Sequence, residues 1–171
     1  MRRKKFSAVL CLYLFVMLFP AIARSFNIDD VIYEAYDQLL QKYPNVEAIR
    51  KQFGDRAVWR EETEPSPHDN SVELKFSYME YPGIEIQTLE FALEEENRFY
   101  ITFLNVEKAG FVNFGGIDIG SASEDVINLF GVPHEIEGNE LIYLDESGYT
   151  IVTFTIENQM VAEMAIYVHV D

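Results

Sequence analysis

Apolar residues between positions 27 and 43 recur every three or four places. Ile28, Val31, Ile32, Ala35, Tyr36, Leu39 and Leu40 form one stripe, the spacing of an amphipathic helix. Asn27 stands at the N-cap, Asp29 and Asp30 follow at the positive end of the helix dipole, and Pro44 ends the run. Asn45 caps a second, shorter helix from Val46 to Phe53, which Gly54 closes. Beyond Gly54 the period becomes two. Val72, Leu74, Phe76 and Tyr78 alternate with Glu73, Lys75 and Ser77, which predicts a half-buried strand. Pro82-Gly83 turns the chain into a strand from Ile84 to Leu93. Its apolar phase moves from Ile84 and Ile86 to Leu89, Phe91 and Leu93, which predicts a bulge near Gln87-Thr88. Arg98 to Val106 is the next strand, and Ala57 to Thr63, with Trp59, opens this meander. Glu64 to Asn70, holding Pro65 and Pro67, reads as a polar loop.

A connector rich in Gly and Phe spans Ala109 to Gly116. Ser121, with Glu124 three residues on, has the spacing of a capping box. The short helix after it presents Val126, Leu129 and Phe130, and Gly131 and Pro133 stop it. Strands follow at Glu140 to Leu144, Tyr149 to Ile156 and Met160 to Val170. Ser147-Gly148 and Asn158-Gln159 are the expected turns.

The two halves repeat an order. Glu47-Ala-Ile-Arg-Lys-Gln-Phe-Gly54 parallels Glu124-Asp-Val-Ile-Asn-Leu-Phe-Gly131, a short helix from Glu to Phe-Gly in each case. Pro82 to Phe91 aligns with Ser147 to Ile156, so that Gly83 meets Gly148, Ile86 meets Ile151 and Thr88 meets Thr153. The fold expected is α+β: two tandem units, each a helix plus an antiparallel meander, with helices packed on one face of the sheet. The boundaries are 24–108, which carries the extra leading helix, and 109–171.

The string from Ile117 to Pro133, followed by Tyr143, Phe154 to Asn158 and Val161, resembles the SmpA/OmlA (BamE-like) family. It resembles the related β-lactamase-inhibitor-protein-like family as well. The likeness covers Ile117 to Val170 well and Val46 to Val106 weakly. Gly120-Ser121 stands where the BamE-like pattern often has Gly-Met, and that family's lipid-attachment cysteine is missing. The resemblance implies helices over one face of an antiparallel sheet and a partner on the other, in a bacterial envelope setting. It carries no individual inhibitory residue across.

The N-terminus adds a destination. Arg2, Arg3, Lys4 and Lys5 precede an apolar run from Phe6 to Phe19. Pro20 breaks the run, and Ala21-Ile22-Ala23 has the small-x-small form of a cleavage site. Residues 1–23 are thus read as a signal peptide, and the protein as exported, periplasmic or extracellular. An uncleaved anchor over Phe6 to Ala23 is the alternative, since that stretch reaches the lower limit for a membrane span. Cys11, the single cysteine, follows Leu10 inside the run, so lipidation is not expected, and the mature chain is free of cysteine. Its stability must then come from its core.

The chain has 171 residues and a formal net charge of −16. Loss of residues 1–23 removes four positive charges and no acid, leaving 9 Lys+Arg against 29 Asp+Glu. Such a balance disfavours nucleic acid and anionic lipid and favours a partner with a basic or mixed surface. Among functional chemistries little is offered. His68, His134 and His169 lack metal-ligand spacing, and Ser121 and Ser123 lack a nucleophile elbow. Glu94-Glu95-Glu96 reads as a solvated turn. No catalytic residue, metal or cofactor is expected, and none of the chain's motifs speaks for an enzyme. Aromatics are the better signal, because an alternating set left on an open sheet face suits recognition. Trp59, Tyr100, Tyr149 and Tyr167 are the candidate binding residues, and Tyr143 and Phe154 are assigned to the core. The expected function is protein–protein recognition, as an inhibitor or as an accessory of envelope assembly. The alternative is a small-ligand or cation-binding envelope protein.

Overall fold

The structure is a computed structural model and describes residues 27–54, 58–92 and 98–170. The signal-peptide segment and the Glu94 to Glu96 turn lie outside the described residues. Helix α1 runs Ile28–Lys42 and α2 runs Val46–Phe53. Asn27 and Asn45 cap them through their side chains, which accept from the backbone N–H of Asp29 and Ala48. Four strands follow: β1 Val58–Pro65, β2 Glu73–Tyr81, β3 Ile84–Ala92 and β4 Arg98–Val106. Helix α3 (Ser123–Phe130) leads into β5 Glu135–Glu137, β6 Glu140–Leu144, β7 Thr150–Glu157 and β8 Met160–Val168. All eight strands form one antiparallel sheet in the order β1-β2-β3-β4-β8-β7-β6-β5, so the class is α+β. Strands β4 and β8 meet over four residue pairs, Phe103–Val106 against Met164–Tyr167.

Helix and strand residues share one buried cluster. Val31, Ile32, Ala35 and Leu39 of α1 and Ile49 of α2 belong to it with Met79, Ile86, Ile101, Leu104, Val152, Phe154 and Ile166 of the sheet. Phe53 lies against Tyr81, with ring centroids 4.8 Å apart. Phe130 of α3 lies against Tyr143 and Phe154 at 5.1 and 5.0 Å. The Tyr36 hydroxyl donates to Ile101 O and accepts from Ile101 N–H, tying α1 to β4. Tyr143 and Phe154 are core residues, as their places in the alternation predict.

Three details of the sequence reading are corrected. First, the capping box is not formed. Ala122 is the N-cap of α3 and makes no side-chain cap bond. Ser121 Oγ instead accepts from Asp118 N–H, closing the preceding turn, and the Ser121 backbone bonds Val161 of β8. Second, the irregularity lies where the bulge is expected, between Gln87 and Thr88, and only its strand differs: the extra residue is Thr102 on β4, because Gln87 faces Phe103 and Thr88 faces Ile101. Third, the three residues of β5, all exposed, pair with β6 where no strand was expected.

Ser77 and Thr88 face each other across β2 and β3. Both are fully buried, and neither hydroxyl has a hydrogen-bond partner. A buried hydroxyl without a partner costs stability. Thr88→Val keeps the shape and removes that cost. We expect it to stabilise the fold by about 1 kcal/mol, measured by urea denaturation; a lower midpoint would show that Thr88 is satisfied after all.

Candidate functional site: an aromatic face of the sheet

Residues directly opposite in neighbouring strands point to the same face. Rows of side chains can therefore be read across the sheet from its register. One row runs Glu62, Phe76, Leu89, Tyr100. Beside it lies Glu64, Leu74, Phe91, Arg98. On the other side a longer row crosses seven strands: Arg60, Tyr78, Gln87, Phe103, Tyr167, Ile151, Leu144. Together they make an aromatic face. The opposite face carries Met79 and Tyr81 of β2.

This explains the phase change in β3. Ile84 and Ile86 point into the shared core, while Leu89 and Phe91 belong to the aromatic face, with no break in β3's own alternation. The apolar side of the strand changes along its length. Strand β2 behaves alike: Phe76 and Tyr78 serve one face, Met79 and Tyr81 the other.

The aromatic face is hollowed over β2, β3 and β4. A groove of about 640 Å³ is floored by Phe76, Tyr78, Leu89, Phe91 and Tyr100. Its walls are the Ser66–His68 segment on one side and Val168–Val170 on the other. Ser66 N–H donates to Val72 O, and the Ser66 hydroxyl accepts from His68 N–H, which fixes the first wall. The second wall exists because β4 and β8 pair no further than Phe103 and Tyr167, so that Val168, paired with Thr150 of β7, and His169, whose N–H donates to Tyr149 O, flank the groove.

Three of the four sequence-selected aromatics come to this face. Tyr100 lies in the groove, edge-on to Phe91 at 5.8 Å. Tyr167 is 45% exposed and lies against Phe103 at 4.8 Å. Tyr149, 46% exposed, stacks on the groove residue His169 with planes 6° apart. Trp59 does not join them. It faces Met79, packs on the shared core and lies under the Arg50 guanidinium, 3.5 Å from its ring centroid. Phe76, Tyr78, Leu89, Phe91 and Phe103 were not singled out as site residues. The off-phase apolar residues of β2 and β3 were the signal that could have found them.

Carboxylates border the face. Glu163, Thr155 and Glu140 form a row beyond Tyr167, separated from it by the row of Ala165 and Thr153 that Glu85 enters through Asn105. The Tyr167 phenol is pushed above a tyrosine's ordinary value, first by burial and then by Glu140, Glu163 and Glu85. Among the described residues no group of three or more His, Cys, Asp or Glu is placed to hold a metal ion. Also among them, no helix is long and apolar enough to cross a membrane.

Family models, curated proteins and solved structures were compared with the chain, and none matches it.

Proposed function

We propose that this is an exported, non-enzymatic binding protein that recognises another protein through the aromatic face. The observation that carries the reading is the groove: five large apolar side chains from three strands, gathered in one concavity at the surface. Such a patch suits an interface, where aromatic anchors bury much area at little entropy cost. The build is that of two tandem αβ units, 24–108 and 109–171, with helices on one face and the aromatic face open. Support for the pairing is conformational. Helices α2 and α3 both end on a glycine at positive φ, Gly54 at 77° and Gly131 at 79°, each donating to the carbonyl four residues back. The last strand of each meander carries a one-residue bulge, Thr102 on β4 and Ala162 on β8. An inhibitor or envelope-assembly role, as the resemblance of 117–170 implies, belongs to the same proposal. A second reading, a small apolar ligand in the groove, draws on its volume, which lies within the range of roughly 300–1,000 Å³ for small-molecule sites.

The test uses the protein expressed from Met1 and purified as the cell leaves it. Immobilised, it is offered envelope and culture extracts at low and then high salt. We expect one protein to stay at high salt. Tyr100→Ala should then weaken its binding by about tenfold or more, the loss of an aromatic anchor. Trp59→Phe should change it by no more than about twofold, as for a residue outside the contact. A partner that holds Tyr100→Ala as tightly as the wild type overturns the reading, as does one that washes off with salt. A small molecule released from the purified protein, and lost in Tyr100→Ala, moves the assignment to the second reading.

A further inference from the structure

Twice this sheet seats an arginine on an aromatic ring beside a glutamate. The Arg60 guanidinium lies over Tyr78, 4.2 Å from the ring centroid, and its Nε is 3.3 Å from Glu62. On the opposite face Arg50 lies over Trp59 and reaches Glu61 at 3.9 Å. Both arrangements join the negative face of a ring to a carboxylate.

A third set of the same groups stands on the aromatic face without its cation. Tyr167 and Phe103 lie together at 4.8 Å, in the row that also holds Tyr78. Glu140 and Glu163 stand beyond them across low side chains, Ala165 and Thr153, and Glu85 stands opposite Asn105 in that same intervening row. Burial first, and then the charges of Glu140, Glu163 and Glu85, push the Tyr167 phenol above its ordinary value. In the same row Asn105 Oδ1 is enclosed and has no hydrogen-bond donor. Among the described residues no Lys or Arg lies over Tyr167 or Phe103, and none pairs with Glu85, Glu140 or Glu163. Among the described residues these acids form no group that could hold a metal ion, and the ring pair offers a face to a planar cation.

We infer that the Tyr167–Phe103 platform is the seat of an arginine side chain presented by a protein partner, held by ring stacking and drawn there by the negative charge of Glu85, Glu140 and Glu163. This rests on the reading of the aromatic face as a protein-binding surface. Charge complementarity argues for it, since carboxylates border the Tyr167 end of the face, while its arginines stand elsewhere: Arg60 over Tyr78 beside Glu62, and Arg98 opposite Phe91 at the groove. Arginine is favoured over lysine because its planar fork stacks on a ring and bonds a carboxylate at once. The partner then bridges two subsites, an apolar anchor in the groove and a guanidinium one row away.

Three acetylated, amidated tetrapeptides test this: Phe-Arg-Phe-Arg, Phe-Gln-Phe-Gln and Phe-Glu-Phe-Glu. Each is titrated into isotope-labelled protein, expressed from Met1 and purified as the cell leaves it, with amide and aromatic resonances followed by NMR. The Arg peptide should move Tyr167, Phe103 and Ala165 and bind about tenfold more tightly than the Gln peptide, the scale of a cation–π contact with charge pairing. The double variant Glu85→Gln/Glu163→Gln should cut that preference to threefold or less on the same scale, with its melting temperature unchanged. Equal binding of the Arg and Gln peptides overturns the arginine seat, as does a preference that survives the double variant. If either result comes with shifts at Phe76, Leu89 and Tyr100, the aromatic face still binds protein segments and only the seat is lost. If no peptide moves a resonance on the face, both readings fall together.

Discussion

Raising the pH from 10 towards 12 is expected to unfold the protein steeply. Tyr36, Tyr43 and Tyr143 each have their phenol pushed up to about 12, chiefly by burial. Tyr36 is bonded to the Ile101 backbone, Tyr143 donates to Gly131 O, and the Tyr43 hydroxyl has no partner. In an unfolded chain a tyrosine titrates near its ordinary value of about 10. Below that value both states keep their protons, and these groups add no pH dependence. Between about 10 and 12 the unfolded chain releases three protons that the folded chain retains, so stability falls as pH rises. The loss is about 1.4 kcal/mol per tyrosine per pH unit, or about 4 kcal/mol per unit for the three together. Against a total of roughly 5–15 kcal/mol for a domain, that slope ends the folded state near the upper value. Circular dichroism and tyrosinate absorbance, followed along one alkaline titration, should change together in one transition. Tyr43→Phe should make the transition shallower and shift it upward. Tyrosinate formed at ordinary pH with the fold intact would show that these rings are open to water.

Phe154→Ala carries the second large effect. Phe154 is fully buried and touches three other rings: Phe130 at 5.0 Å, Tyr143 at 6.0 Å and Phe114 at 6.2 Å, all tilted edge to face. Those rings come from α3, from β6 and from the connector before α3, so the cavity would open where separate elements meet. Large-to-small changes at such sites cost about 3–5 kcal/mol. For a chain of this size each kcal/mol lowers the melting temperature by roughly 2–4 °C, so a fall on the order of 10 °C is expected by calorimetry. Phe154→Leu keeps most of the volume and should cost less than half as much. A melting temperature unchanged by Phe154→Ala would remove this ring from the core.

Local signals made much of the fold legible. The stripe from Ile28 to Leu40 and the asparagines before each helix set α1 and α2, because spacing and caps act within a few residues. Asn158 and Gln159 both adopt positive φ, 51° and 67°, as a two-residue hairpin between Glu157 and Met160 requires. What local pattern could not supply was the choice of face. Along β2, Phe76 and Tyr78 are as apolar as Met79 and Tyr81. A period of two says that both sets alternate, not which set a helix distant in sequence will cover. Trp59 shows the same limit. Its ring is an interface residue by composition, yet Arg50 of α2 claims it, a pairing set by tertiary packing. Tyr100, Tyr149 and Tyr167 reach the aromatic face because their strands' alternation continues across the register. Ser121 fits a cap by spacing, but the bonds of its neighbours to β8 start the helix two residues later.

The short junction between β4 and β8 also bears on how the sheet can assemble. Of the seven strand pairings, six join strands consecutive in the chain, and each closes with a short connection. Among these pairings the junction unites segments some sixty residues apart, Phe103–Val106 and Met164–Tyr167. Loop closure over that length costs more entropy than any hairpin in the sheet, and only four residue pairs offset it directly. The hairpins are local and need no such search. Each meander can form on its own contacts, and the junction is the step for which the rest of the chain must wait.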